Sequence, residues 1–164
     1  VIKAVVFDLD GTLINLPIDY EGLFRRFSRI LKTNDVRPLT KTVAGLDEKT
    51  RKKIFEVWDE EELALTGKIT TKDEGVALYK KYAAMPKALV TMQGKALVQT
   101  VLKPLGLVFK LTITREDSLD RVEQLKMVIR KVKVNPENLL FVGNTDGDLL
   151  AAEEVECQFL RVGQ

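Results

Sequence analysis

Val1-Ile2-Lys3-Ala4-Val5-Val6-Phe7-Asp8-Leu9-Asp10-Gly11-Thr12 decides the fold. Its first seven residues are rich in β-branched and aromatic side chains, and a turn signal follows at once. That combination predicts a central parallel strand covered on both faces. Asp8 and Asp10 then fall at the carboxyl end of the strand, the edge of an open α/β sheet where ligands bind. Two carboxylates two residues apart need not point the same way in a strand, but they can converge once the strand has ended. Gly11 permits a sharp turn just past them, and Thr12 offers a hydroxyl and a backbone donor.

The composition bounds what such a turn can do. The chain has 164 residues, enough for one ordinary domain or one domain with a modest insertion, and 45% apolar with 30% charged residues describes a globular protein. The net charge of +2, from 26 basic and 24 acidic residues, argues against a dedicated nucleic-acid binder. No stretch approaches the roughly 18 unbroken apolar residues of a membrane helix, and the amino terminus shows no cleavable signal pattern, so the expectation is a cytoplasmic protein that binds no membrane. Cys157 is the only cysteine and there is no histidine. This excludes an internal disulfide, cysteine clusters, histidine-ligated zinc and Ser-His-Asp or Cys-His catalysis. Carboxylates, hydroxyls, amines and hard cations are what remain.

Downstream of residue 15 the period changes. Leu23, Phe24, Phe27, Ile30 and Leu31 recur at helical spacing, and Asp47 can cap a second long helix carrying Ile54, Phe55, Trp58, Leu63 and Leu65. Thr71 and Glu74 have capping-box spacing before a third helix with Val76, Leu78, Tyr79 and Tyr82. No strand pattern occurs between residues 15 and 85. The expectation is an all-helical insertion over residues 15–86, longer than a usual connection. Strand patterns return at 88–90, 108–114, 139–142 and 158–162, with helices between them. The predicted architecture is therefore α/β, a Rossmann-like parallel sheet of spatial order 3-2-1-4-5 with strand one central.

The segment Asp8-Leu9-Asp10-Gly11-Thr12 matches Asp-x-Asp-Gly-Thr, and with it the chain resembles the haloacid dehalogenase-like hydrolase superfamily. The resemblance implies that residues 1–14 and 87–164 form the catalytic core and 15–86 a helical cap. It implies that Asp8 is the nucleophile that takes up a phosphoryl group, and that Asp10 protonates the leaving oxygen and then deprotonates water. Thr12, Thr91 and the Met92 amide would hold phosphoryl oxygens. Arg121 has the best spacing for the base that neutralises nucleophile and phosphate, with Arg115 and Lys126 as competitors. Mg2+ would bridge Asp8, Asp10 through its carbonyl, and Asn144, with Asp148 behind. The implied activity is a magnesium-dependent phosphatase acting on a small phosphorylated metabolite, as a monomer or weak homodimer.

One position departs from that pattern. Gly143-Asn144-Thr145-Asp146-Gly147-Asp148 resembles the superfamily's Gly-Asp-x-x-x-Asp, yet the proximal acid is an amide. An amide oxygen can coordinate a hard cation but contributes no negative charge. A weaker but working enzyme, a natural member without activity, and an engineered substitution are all compatible with Asn144, so an inactive binding or regulatory protein stands beside the phosphatase, as does a phosphomutase. A receiver-like signalling module fits less well, since receivers place their phosphoacceptor after the third strand, where Thr114 and Arg115 stand here. Arg25, Arg26, Lys41 and Arg51 are candidate contacts for an anionic leaving group.

Overall fold

The structure, a computed structural model, describes residues 1–163; Gln164, the last residue of the expected core, lies outside them. Strand β1 (Ala4–Asp8) is buried along its whole length. Its side chains alternate between two apolar clusters, Val5 and Phe7 entering one and Ala4 and Val6 the other. That alternation is why the sequence shows an unbroken apolar run: both faces are covered.

Parallel strands β4 (Lys87–Val90) and β6 (Leu139–Gly143) flank β1, and β5 (Leu111–Ile113) and β7 (Gln158–Arg161) are the edges. The spatial order β5-β4-β1-β6-β7 is the predicted 3-2-1-4-5 with two short extra strands counted in the chain order. Helices α6 (Arg121–Val132) and α7 (Asp146–Val155) cover the face bearing Ala4 and Val6. The opposite face is covered by α5 (Lys95–Leu102) and by α4 (Asp73–Lys81), whose Leu78 and Tyr79 pack on the cluster containing Phe7. Tyr79 and Phe7 meet with ring centroids 6.1 Å apart.

The insertion itself is α1 (Tyr20–Leu31), α2 (Leu39–Ala44) and α3 (Glu48–Leu63), around a cluster of Leu23, Phe27, Val36, Val43, Ile54 and Trp58. Asp19 caps α1 by accepting from the Gly22 amide at 3.0 Å, and Asp47 caps α3 from Thr50 at 2.7 Å. The insertion leaves and re-enters the core through β2 (Ile14–Asn15) and β3 (Thr70–Thr71), paired antiparallel.

The helices within residues 15–86 divide between two apolar clusters, α4 packing on the sheet and α1 to α3 forming their own. Two expectations are corrected here. A strand does occur between residues 15 and 85, since β3 pairs with β2. The capping box does not form: Lys72 is the α4 cap residue, with no side-chain cap bond, Thr71 belongs to β3, and Glu74 accepts from the Gly163 amide at 3.1 Å. Gly75 allows α4 this seat, because a Cβ there would run into the Thr12 carbonyl. Among the described residues, no helix is long and apolar enough to cross a membrane.

Candidate active site

Just past β1 the chain closes one tight turn. The Leu9 carbonyl accepts from the amides of Thr12, Leu13 and Ile14 at 3.2, 2.9 and 3.1 Å. Gly11 sits at φ +84°, and a Cβ there would collide with the Asn144 side chain, so only glycine lets the turn pass this close to the end of β6. The turn sends the two acids different ways. Asp8 is the last residue of β1, 5% exposed, and the Asp10 Oδ1 turns back to accept from the Leu16 amide at 2.9 Å.

Three chain segments meet around Asp8: its own turn, the start of α6 and the loop between β6 and α7. Its Oδ1 accepts from Arg121 Nη2 at 3.0 Å, and its Oδ2 accepts from Thr12 Oγ1 at 3.4 Å. Thr12 Oγ1 is also 3.3 Å from Asn144 Oδ1. Arg121, the first residue of α6, donates through Nε to Asp148 Oδ1 at 3.1 Å. The Asn144 amide donates to the other Asp148 oxygen at 3.2 Å, while Thr145 caps α7 by accepting from the Asp148 amide at 3.0 Å. Asp120 sets the start of α6 by accepting from the Val122 amide at 2.9 Å, which fixes where Arg121 leaves the helix.

Burial dominates the electrostatics. Desolvation pushes the Asp8 carboxyl up to about 7; the Arg121 charge opposes it, and Asp148 adds to it. Asp10 is raised too, by burial, against the Leu16 and Gly11 amides that favour its charge. Tyr20, the first residue of α1, is pushed up to about 12 by burial and by the charges of Asp10, Glu62 and Asp8, so its phenol keeps its proton. Two hollows, of about 730 and 560 Å3, lie on the outer surfaces of the insertion and of α5 and contain none of these carboxylates. Chemistry, not size, marks the site.

Solved structures superpose on nearly the whole chain. A haloacid dehalogenase-like family protein of Streptococcus pneumoniae is 20% identical, with a TM-score of 0.69 over 98% of this chain and 84% of that one. CbbY of Rhodobacter sphaeroides, in complex with phosphate, is 18% identical at a TM-score of 0.70, covering 100% of this chain and 87% of that one. The chain has the haloacid dehalogenase-like hydrolase fold. A superfamily hydrolase of Geobacter sulfurreducens gives 17% identity and a TM-score of 0.65 over 98% of this chain and 86% of that one. No protein-family model and no curated protein sequence matches the chain.

On this haloacid dehalogenase-like scaffold, Asp8, Thr12, Arg121, Asn144 and Asp148 form one hydrogen-bonded network, and Asp10 stands at its margin. Thr91 follows β4 and is fully buried, but its hydroxyl is turned to its own loop, donating to Gln93 Oε1 at 2.6 Å and accepting from the Gln93 amide at 3.1 Å. Met92 uses its carbonyl to accept from Arg115 at 3.3 Å. The competitors of Arg121 go elsewhere. Lys126 pairs with Glu123 on the surface of α6. Arg115 is fully buried between Asp59 and Glu62 of α3, stacked 4.3 Å from the Trp58 ring centroid. Glu62 also accepts from the Gly94 amide at 3.0 Å, which seats the cap on the loop after β4.

Three of the four candidate leaving-group contacts are engaged elsewhere. Arg26 pairs with Glu60 and Glu61, Arg25 approaches Asp19, and Arg51 donates to the Ala44 and Leu46 carbonyls. Residues that sequence reasoning missed are Tyr20, Gln124 and the pair Asp59 and Glu62. The acid run at 59–62 was their only sequence signal, and nothing in it separates the inward acids from the outward ones.

Whether these residues suit a magnesium ion turns on their donors. Asp8 Oδ2 and Asn144 Oδ1 both lie beside Thr12 Oγ1, giving an oxygen-only set of the kind a hard cation takes. Among the described residues, no group of three or more His, Cys, Asp or Glu side chains is placed to hold a metal. The set therefore matches magnesium in kind and is poor in charge.

Proposed function

We propose that the chain is a phosphoric monoester hydrolase that acts on a small phosphorylated metabolite through an aspartyl-phosphate on Asp8, assisted by magnesium. The observation that carries this reading is the unlike treatment of the two acids at one strand end. Asp8 lies against the Arg121 guanidinium, whereas Asp10 is turned back onto the Leu16 amide, and burial raises both carboxyls. One is placed as a nucleophile beside a cation that favours its charge, and the other, with no guanidinium against it, is placed to keep the proton that a general acid gives.

In the first half-reaction an Asp8 oxygen attacks phosphorus, and the ester oxygen leaves with the Asp10 proton. In the second, Asp10, now ionised, takes a proton from water as the water attacks phosphorus, releasing phosphate and restoring Asp8. Arg121 neutralises charge on the phosphoryl oxygens from a position set before substrate arrives, which is where most phosphoryl-transfer catalysis resides. Thr12 offers its hydroxyl to the same oxygens, and Thr91 with the Met92 amide lies on the neighbouring loop. Magnesium, when bound, would be held by Asp8, the Asp10 carbonyl and Asn144, with Asp148 orienting the Asn144 backbone, and would supply further positive charge.

Asn144 favours a second reading, a protein that binds phosphorylated ligands without turning them over. Phosphate release from a generic aryl phosphate, followed across a magnesium series for the parent and Asn144→Asp, separates the two. The enzyme reading expects release from both, with half-saturation at lower magnesium for Asn144→Asp. Silence from both over a broad phosphate panel would overturn it.

A further inference from the structure

Arg121 does not hold its position through the carboxylates alone. Three of its nitrogens have a partner each: Nε reaches Asp148, Nη2 reaches Asp8, and Nη1 donates to Gln124 Oε1 at 2.6 Å. Gln124 lies one turn along α6, on the same face, and is fully buried. Its amide nitrogen is 2.9 Å from the Thr91 carbonyl, 3.0 Å from that of Ser118 and 3.4 Å from that of Thr114. Three carbonyls around one end of an amide fix which end is nitrogen, so the oxygen has to face the guanidinium.

We infer that Gln124 is a positioning residue, which locks the Arg121 guanidinium to the loops following β4 and β5. Its nitrogen reads the positions of Thr91, Thr114 and Ser118, and its oxygen passes that position to Arg121. The cation thereby has one orientation toward Asp8 in the absence of ligand, and the loop carrying Thr91 and Met92 moves only together with it. The consequence for turnover rests on the phosphatase reading above; the consequence for Arg121 does not.

The two ends of the amide separate positioning from simple burial. Gln124→Met removes both, and Gln124→Glu keeps an oxygen for Arg121 while losing the donors to the loops. The Arg121 Nε–H signal in a proton-nitrogen NMR spectrum, assigned by its loss in Arg121→Met, reads the placement directly. Gln124→Met is expected to speed hydrogen exchange at that Nε–H by about tenfold or more, the scale of one lost hydrogen bond to a charged group. Gln124→Glu is expected to lose protection as well, because the oxygen that meets Arg121 is no longer tied to the loops. A signal as protected as the parent's in either folded variant would overturn the inference, and the second variant decides the matter if the first does not fold.

Aryl-phosphate turnover adds a double-mutant cycle. Gln124→Met is expected to lower kcat/KM by about tenfold in the parent and not further in Arg121→Met, whereas equal losses in both backgrounds would contradict action through Arg121. A parent without turnover retires the phosphatase reading and leaves the Nε–H comparison to judge Gln124.

Discussion

Arg121 donates to Asp8 at 3.0 Å across 113 residues of sequence, so the end of the first strand carries its own counter-cation. Even so, burial wins: Asp8 is raised to about 7 despite the guanidinium. The net effect is that the folded protein holds the Asp8 proton more tightly than the unfolded chain does.

That sign sets a pH dependence. With a folded value near 7 and an ordinary value of 3.8, the folded state binds more protons between those limits, and stability from this group falls as pH rises through about 7. Asp8→Asn removes the cost of burying the charge. Thermal melts should show Asp8→Asn more stable than the parent at pH 8, with the gap closing toward pH 5. A gap that widens toward low pH would contradict the burial argument.

The cap's seat should be the most mutation-sensitive ion pair in the molecule. Arg115 and Glu62 are both fully buried at 2.8 Å, and burial raises the Glu62 carboxyl against the pull of Arg115. Removing one partner strands the other charge, so Arg115→Met should cost about 3 to 5 kcal/mol in denaturant unfolding. Restoring most of that loss by adding Glu62→Leu would show that the stranded carboxylate was the cause.

Gly75→Ala tests how α4 is seated. The new methyl would strike the Thr12 carbonyl, which is backbone and cannot swing aside. A loss of about 1 to 3 kcal/mol is expected, together with reduced aryl-phosphate turnover because the turn holding Asp10 is displaced. Unchanged stability would mean that α4 and the turn are not rigidly packed.

Asp148 acts through geometry in this account. Both of its oxygens are occupied, by Arg121 Nε and the Asn144 amide. Asp148→Asn should therefore weaken inorganic phosphate binding, measured by calorimetry, even without magnesium. An effect confined to magnesium-containing buffer would assign Asp148 to the metal instead.

The sheet was readable because its central strand is covered on both faces, and an unbroken apolar run leaves few alternatives. The exit from the cap was not. Leu78, Tyr79 and Tyr82 look the same whether α4 faces a sheet or other helices, and paired strands of two residues each, Ile14–Asn15 and Thr70–Thr71, are too short to show a period. The spacing of Thr71 and Glu74 suggested a local cap, but two tertiary partners, β2 and the Gly163 amide, claimed those residues. As charges near one helix start, Arg115 and Arg121 differed in the sequence only by spacing, which favoured Arg121. What separates them is distant in sequence: Asp59 and Glu62 for one, Asp8 and Asp148 for the other.

Phosphate release from an aryl phosphate at saturating magnesium, compared for the parent and Asp8→Asn, tests most directly whether Asp8 is the group that takes up the phosphoryl. A carboxamide keeps the shape of the site and removes the nucleophile, so release should fall by at least about a thousandfold. Release by Asp8→Asn at the parent's rate would contradict the account.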